Sequence, residues 1–261
     1  MQTIKLILHF WKLNILSAME YKVSFIIQII GMIVNDFMFF LIWVFFFRIF
    51  WTMGWLDIWK FAILLSIMVM VFWILHTFFN WYSKIWMMIE EGRLDNYMLL
   101  PKNLLIKLIV SSMMISAIWD ILYSFILMFL IPNLTIIMIF EIVFLSIIWS
   151  FTFLGFMLIF ISLSFYIWSS RNIIRWVFES ILWPSHYPPW IFDWTILKYV
   201  FMTIIPVYFT VYGQFELVLN FTLFGLIRLI LWSMFFLSLW TFIFYRGLKK
   251  YESGNMINVN V

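Results

Sequence analysis

Five long apolar runs constrain the fold of this chain more than any other feature of its sequence. A helix that crosses about 30 Å of hydrocarbon needs about 20 mostly apolar residues, whereas a barrel strand needs only about 9–11 residues of alternating polarity. The runs have helical length and lack that alternation. They cover residues 23–47, 61–81, 104–131, 136–168 and 219–245. We therefore predict five transmembrane helices from these runs alone.

The composition indicates the same surroundings. Hydrophobic residues make up 66% of the 261 residues and charged residues only 11%, whereas soluble domains carry about 25% charged residues. So few charges cannot cover a water-exposed globule of this size. The chain has no cysteine, which also excludes a disulfide scaffold. The predicted fold class is an all-α integral membrane protein surrounded by membrane lipid.

A sixth span is expected between the fourth and the last of these helices. Residues 172–187 form a short apolar stretch that we predict to be the fifth of six transmembrane helices. The stretch that follows, residues 188–218, is interrupted by Pro188, Pro189 and Pro206. Pro-broken backbone is tolerated at membrane depth only where protein or a water-lined cavity satisfies it. We therefore predict an outer re-entrant segment at 188–218.

The first residues predict a helix that lies along the membrane rather than across it. Ile4, Leu8, Trp11 and Ile15 recur at helical spacing, and basic residues fall on another face. This pattern is typical of a helix buried by one face in the interface. We expect an interfacial helix over residues 1–22.

The distribution of basic residues predicts the orientation. Most of the 16 lysine and arginine residues fall on one side if six spans are assumed; the exceptions are Arg48, Lys60, Lys198 and Arg228. Basic loops are retained in the cytoplasm. We therefore expect a multi-pass protein of the plasma (inner) membrane with both termini cytoplasmic, and a single transmembrane domain over residues 1–261. No basic domain for nucleic acid is present in the sequence.

Three charged residues fall inside predicted spans. Asp36 and Asp120 lie near the middle of spans one and three, and Arg228 lies in span six. A charge at membrane depth costs about 2.5–3.5 kcal/mol on insertion scales, so each must face protein or water. Pairing of either acid with Arg228 is the favoured interpretation. The alternative is that the three residues line a substrate path or form a proton site.

The sequence lacks the common signatures of catalysis. It contains no G-x-x-x-x-G-K-[ST] phosphate-binding loop, no H-E-x-x-H and no G-x-S-x-G. His9, His76 and His186 lie in separate segments and do not have the spacing of a metal site. We expect no cofactor or metal to be bound directly by this chain.

The connection over residues 82–103 carries the strongest functional signal. Residues 84–90 have the pattern of a short amphipathic helix, and Gly92 can supply the left-handed conformation that ends it. Large apolar residues, among them Met98 and Leu99, follow in this charged loop. Exposed apolar residues of this kind favour docking of another protein, with a helix pressed on lipid headgroups as the alternative.

Two short motifs in this chain resemble those of a known family. Residues 92–101, GRLDNYMLLP, are similar to the G-x-L-D-x-Y-L-L-x-P motif of the membrane subunits of type-two ATP-binding-cassette export permeases, with Met98 in place of the usual leucine. Residues 246–255, RGLKKYESGN, resemble the G-L-K-x-Y-E-S ending of the same branch. The Tyr-Pro step at 187–188 and the later Pro206 also fall where that branch has them.

The resemblance implies half of a translocation channel. Such a permease pairs with a second permease subunit, identical or related, and recruits a separate ABC ATPase that binds ATP and magnesium. The loop after span two then carries a cytoplasmic coupling helix that docks in a groove of the ATPase. The residues implied to make or support that contact are Ile85, Trp86, Ile89, Glu90, Glu91, Gly92, Arg93, Leu94, Asp95 and Tyr97.

Two other functions are compatible with the sequence. An ion- or proton-coupled secondary transporter would use the three intramembrane charges. A membrane-embedded enzyme that modifies lipid would use a different polar set, namely Asp120, Glu179, His186 and Asp193. Association with an ATPase would discriminate the exporter from both.

Overall fold

The computed structural model describes residues 2–50, 52, 56–80, 82–99, 104–109, 111–167, 170–185, 187, 192, 195–196, 199–200 and 211–251. These residues form helices and contain no β-strand, which confirms the all-α class. The helices are α1 (Gln2–Glu20), α2 (Lys22–Phe50), α3 (Ile58–Phe79), α4 (Tyr82–Glu90), α5 (Asp95–Met98), α6 (Leu104–Ile109), α7 (Ile118–Phe129), α8 (Ile136–Ile161), α9 (Arg171–Ser185), α10 (Gly213–Leu219) and α11 (Leu223–Leu248), with 3₁₀ turns at Ile115–Ala117 and Ser162–Phe165.

Polar side chains cap the first turn of three long helices. The carboxylate of Asp57 accepts a hydrogen bond from the backbone N–H of Lys60, 2.8 Å away, at the start of α3. Thr135 and Thr222 cap α8 and α11 in the same way. Each cap satisfies an N–H that has no partner within its helix, so these short polar residues fix where each apolar helix begins.

Helices α3 and α8 form the centre of the molecule. Every side chain of α3 from Phe61 to Val71 is buried, and α8 is buried over most of its second half. Helix α7 packs on α3, and α11 packs on α8. A hydroxyl pair, Thr152 with Ser233, joins α8 to α11 inside this core. Apolar side chains all round α3 are consistent with its central position.

Helices α1 and α2 lie at the periphery. Trp43 and Phe47 are the buried side chains of α2, and the ring of Trp43 lies 4.3 Å from that of Phe61 at the start of α3. Helix α1 contacts α3 through Trp11, whose ring lies 5.1 Å from that of Phe78. The predicted helix at residues 1–22 is therefore present, and its position on a membrane surface stays a prediction.

Four candidate spans in the described part of the chain are long and apolar enough to cross a membrane. They are Lys22–Phe50, Ile58–Glu90, Ile136–Phe165 and Leu223–Leu248. These coincide with the first, second, fourth and sixth predicted spans. The candidate Ile58–Glu90 covers both α3 and α4, across residue 81, which lies outside the described residues. The multi-pass membrane class is supported, and the count of six spans stays a prediction.

The third predicted span, 104–131, is not one continuous helix. It includes α6 and α7, and between them lie non-helical backbone at 111–114 and the 3₁₀ turn Ile115–Ala117. The side-chain amide of Asn80 donates to the hydroxyl of Ser112, and the N–H of Met114 donates to the carbonyl of His76, 3.0 Å away. The carbonyl of His76 therefore satisfies one N–H of the interrupted backbone, and backbone groups at membrane depth require such partners. Hydropathy alone could not reveal this break.

The fifth predicted span is shorter than a membrane requires. Helix α9 has 15 residues, a length of about 22 Å. The hydroxyl of Tyr212 lies 2.5 Å from the carbonyl oxygen of Pro184 and 2.9 Å from that of Tyr187, and so holds the end of α9. Most of the predicted re-entrant segment, with Pro188, Pro189 and Pro206, lies outside the described residues.

Candidate functional site

Helix α4 buries one face against the rest of the chain. Tyr82, Ile85 and Ile89 recur at intervals of three and four residues and are buried, which gives α4 an apolar stripe. This stripe packs on α8 and on the 3₁₀ turn Ser162–Phe165 that continues it. The opposite face, with Lys84, is exposed. We call Tyr82–Leu99, which contains α4 and α5, the α4–α5 segment.

Gly92 ends α4 in the manner that the sequence predicts. Its φ angle is 69°, a left-handed conformation that residues with a side chain rarely adopt. The N–H of Gly92 donates a hydrogen bond to the carbonyl of Ile89, and the N–H of Leu94 donates one to the carbonyl of Met88, 3.1 Å away. This turn directs the side chain of Leu94, which is fully buried, back under the helix.

Glu90 joins α4 to the start of α9. Its carboxylate oxygen Oε1 accepts hydrogen bonds from the backbone N–H of Ser170, at 2.7 Å, and from the hydroxyl of the same residue, at 2.8 Å. Ser170 is fully buried and also bonds to Ser164 in the 3₁₀ turn. The guanidinium of the next residue, Arg171, lies 5.8 Å from the ring centroid of Trp86 on α4. Two independent contacts therefore connect α4 to α9.

The end of the α4–α5 segment turns apolar side chains outward. Leu99 is 85% exposed and Met98 47% exposed. Arg93 is also exposed, and its Nε lies 2.7 Å from the Oε2 of Glu91. A surface ion pair of this kind adds little stability. The surface at Met98 and Leu99 is therefore apolar and is not used in packing among the described residues.

The end of α11 contacts the same region. The ring of Tyr251 packs on Phe165, with ring centroids 6.2 Å apart. Burial of Tyr251 and the nearby carboxylate of Asp95 raise the pKa of this tyrosine to about 12, so its phenol stays protonated at neutral pH. Lys107 on α6 donates to the carbonyl of Tyr97 from the other side. The described parts of the two motifs, around Asp95 and Tyr251, are thus neighbours in the fold.

The sequence-predicted coupling residues fall into three groups. Ile85, Ile89 and Leu94 are buried within this chain and therefore can only support a contact. Arg93 is exposed. The others are half-buried: Trp86, Glu90, Glu91, Gly92, Asp95 and Tyr97. Their role in binding an ATPase stays a prediction, and residues 100–103 and 252–255 of the two motifs lie outside the described residues.

The structure adds residues that the sequence interpretation did not include in the site. Ser170 lies 80 residues from Glu90 in the sequence, and the residues around either one do not predict that the two are in contact. Met98 and Leu99 did carry a signal, because large apolar residues stand in a charged loop. Their exposure distinguishes them from the equally apolar but buried Leu94.

The three intramembrane charges separate into two places. Asp36 and Asp120 line one cavity of about 480 Å³ between α2, α3 and α7. Arg228 lines another, beside Glu216. The interpretation that either acid pairs with Arg228 therefore does not match this arrangement: like charges share one cavity, and the arginine lies beside a different acid.

Two of the four residues proposed for a lipid-modifying enzyme are described, and they lie in different places. Asp120 lines the cavity near α2, whereas Glu179 is exposed on α9. His186 and Asp193 lie outside the described residues. Within the described ranges, no group of three histidine, cysteine or acidic residues has the geometry to hold a metal ion.

The fold and this arrangement define a class: an all-helical membrane protein in which an amphipathic helix after the second span lies against the ends of other helices. A sequence model of the family described as "ABC-2 family transporter protein" matches residues 5–254. The chain belongs to this family of ABC transporter membrane components. No curated protein and no solved structure matches it. The resemblance inferred from the two motifs is confirmed.

Proposed function

We propose that this chain is the permease subunit of an ATP-binding-cassette exporter and is driven by a separate ATPase subunit that docks on the α4–α5 segment. In this proposal the chain crosses the plasma (inner) membrane six times, with both termini and the α4–α5 segment in the cytoplasm. A second permease subunit, identical or related, completes the translocation path. ATP and magnesium bind to the ATPase.

The observation that carries the proposal is the pair of hydrogen bonds from Ser170 to Glu90. A docking segment can do mechanical work only if it moves with the spans. Glu90 connects α4 directly to Ser170, the residue before α9, and the stripe containing Ile85 connects it to α8. Because packed interfaces move as units rather than deform continuously, a displacement of α4 would be passed to both helices.

The outward surface supports docking of a protein. Leu99 and Met98 are exposed, and the nearby charges of Arg93 and Glu91 are paired with each other. Exposed apolar residues rimmed by polar ones mark interaction sites in soluble regions. An apolar-lined groove in the ATPase would complement this surface.

The exposed face of α2 supports the presence of a second permease subunit. Its buried side chains are Trp43 and Phe47, near one end, while large apolar residues such as Ile30, Val34 and Phe37 are exposed along its length. Lipid can cover part of this face and another permease subunit the rest.

Membership of the ABC-2 family favours the ABC permease over both the secondary transporter and the lipid-modifying enzyme. A secondary transporter was predicted to use Asp36, Asp120 and Arg228 together, and the arginine lines a different cavity from the acids. Proton or ion coupling is also unnecessary where an ATPase supplies the energy.

The test separates docking from transmission. The chain is co-expressed with a candidate ABC ATPase, purified and assayed for bound ATPase and for ATP hydrolysis. Leu99→Asp should lose the ATPase, because a carboxylate replaces an exposed apolar contact. Asn96→Asp is the matched control: it adds the same charge at an exposed residue of α5 without removing apolar surface. It should retain at least part of the binding.

Glu90→Ala tests transmission in the same assay. This variant should keep the ATPase bound but lose the change in hydrolysis rate that the membrane subunit imposes, because the bonds to Ser170 are gone. The proposal is wrong if Leu99→Asp binds the ATPase as the unmodified chain does. Normal regulation of hydrolysis in Glu90→Ala would contradict the role of the Glu90–Ser170 contact.

A further inference from the structure

The cavity between α2, α3 and α7 has an unusual combination of lining groups. Its volume is about 480 Å³, within the range of about 300–1,000 Å³ that is typical of small-molecule sites. Two carboxylates face it, those of Asp36 and Asp120. Gln28, Asn35 and His76 add neutral polar groups, and most of the remaining wall is apolar. The acids are therefore part of a shaped pocket rather than an isolated surface cluster.

Asp120 is the buried group that points to a ligand. It is 8% exposed, lines the cavity, and accepts no hydrogen bond from any residue that the structure describes. It lies in the first turn of α7, where the helix dipole favours a negative charge. Asp36 has the side chains of Asn35 and Trp119 as hydrogen-bond neighbours, but its Oδ2 atom is buried without a partner. A buried carboxylate ordinarily requires a counter-charge or hydrogen bonds, and otherwise it takes up a proton, with which a bound cation would compete.

The described groups around the acids do not provide that counter-charge. Arg228 lines another cavity. His76 lies in the wall, but its Nδ1 donates to the carbonyl of Phe72, 2.9 Å away, and its ring stacks on that of Phe72. A bound cation would supply what the two acids lack.

The residues that line this cavity favour one kind of cation over another. In the described part of the chain, no third acidic, histidine or cysteine ligand completes a metal site with this acid pair. Three methionines, Met32, Met68 and Met114, and the ring of Phe72 instead present a soft and polarisable surface. Methionine adapts to irregular apolar shapes, and an aromatic face attracts organic cations. These features favour an organic cation over a hydrated inorganic one.

We infer that the cavity between α2, α3 and α7 binds a hydrophobic organic cation, with Asp36 and Asp120 facing its charge and the methionines and Phe72 around its apolar body. The cavity opens on the side of α2, where Gln28, Gly31 and Asn35 are exposed. Such a molecule concentrates in a bilayer and can enter sideways. Its identification as cargo depends on the permease function proposed above, whereas binding itself does not.

The experiment uses the purified full-length chain in nanodiscs, without any ATPase. The probes are tetraphenylphosphonium and tetraphenylborate, which match in shape and apolar surface and differ in the sign of their charge. We expect saturable binding of the cation and none of the anion. Asp36→Asn and Asp120→Asn should each weaken binding of the cation by about ten-fold or more, because each removes one charge contact. Glu141→Gln, on α8 and outside this cavity, is the matched control and should bind normally.

A second measurement keeps the test independent of how the acid variants fold. The chain contains no cysteine, so Met114→Cys introduces a single thiol in the cavity wall. Tetraphenylphosphonium should slow its reaction with a maleimide, and tetraphenylborate should not. Leu99→Cys, on the distant α4–α5 segment, is the control whose labelling neither ion should change.

Three results would overturn the inference. These are equal binding of the two ions, unchanged binding in both acid variants, or displacement of the cation by potassium or magnesium, which would indicate an inorganic ion site. None of these results affects ATPase docking on the α4–α5 segment, so failure here is distinguishable from failure of the proposed function.

Discussion

At the scale of single residues, Glu90 connects α4 to a fully buried backbone group 80 residues away. Glu90→Ala leaves the backbone N–H of Ser170 without its acceptor, whereas the Ser170 hydroxyl keeps its bond to Ser164. We expect the free energy of unfolding to fall by about 1–3 kcal/mol, the usual cost of an unsatisfied buried donor. Unfolding of the purified chain by a denaturing detergent measures this change.

The neighbouring residue provides the matched control for Glu90. Glu91 is paired with the exposed guanidinium of Arg93, and such surface pairs contribute about 0–1 kcal/mol. Glu91→Ala should therefore cost less than Glu90→Ala. Equal losses in the two variants would mean that the contact with Ser170 contributes no more stability than a surface pair.

Gly92 gives a second prediction for a single residue, based on its backbone. Its φ of 69° is unfavourable for a residue with a Cβ. Gly92→Ala should lower the free energy of unfolding by about 1–2 kcal/mol. Gly92→Asn should cost less, because asparagine adopts the left-handed conformation more readily. An alanine variant as stable as the unmodified chain would exclude this turn as a requirement for the α4–α5 segment.

At the scale of helices, Gly155 sets how closely α8 and α11 approach. A Cβ at this residue would lie 2.8 Å from the carbonyl carbon of Phe236 and 2.9 Å from the backbone nitrogen of Leu237. Backbone atoms cannot rotate away, so Gly155→Ala should push the two helices apart. We expect a loss of about 1–3 kcal/mol in the free energy of unfolding, as for other overpacked cores.

The control for Gly155 is Gly31 on α2, where a Cβ would meet nothing within 4 Å. Gly31→Ala should leave the free energy of unfolding unchanged or raise it slightly, because alanine favours helix. If Gly155→Ala behaves like Gly31→Ala, then α8 and α11 are not as closely packed as described.

Helices predicted from hydropathy agree with the structure where a helix is long and apolar. Helices α2, α3, α8 and α11 meet these conditions. The third predicted span is not one continuous helix, and at its break Ser112 bonds to Asn80 at the end of α3, a contact between segments that a hydropathy window cannot detect. Apolar composition indicates that a segment lies in the membrane, but it does not show whether the backbone of that segment stays helical.

The candidate site was predictable to the extent that its signals are local. The amphipathic stripe of α4 and the stop at Gly92 are both visible in neighbouring residues. The partner of Glu90 and the grouping of Asp36 with Asp120 depend on how helices pack. The opposite charges of these acids and Arg228 favoured a pair between them. The sign of a charge in the sequence, however, does not show how far apart two residues lie in the fold.

At the scale of the whole molecule, the length of α3 separates the α4–α5 segment from the opposite end of the bundle. Its 22 residues span about 33 Å, roughly the thickness of the hydrocarbon core. Thr52 precedes this helix and is exposed, whereas Leu99 follows it and is also exposed. If α3 crosses the membrane, these two residues lie on opposite sides, and the proposed ATPase can reach only Leu99.

This geometry gives a prediction for living cells, since each single cysteine is the chain's only thiol. A membrane-impermeant maleimide should label Thr52→Cys in intact cells and Leu99→Cys only in inside-out vesicles. Co-expression of the ATPase should then protect Leu99→Cys, because docking covers that side chain, while Thr52→Cys reacts as before in intact cells. Labelling of Leu99→Cys from the outside of intact cells would place the docking surface across the membrane from ATP, and no cytoplasmic ATPase could then drive the bundle through α4.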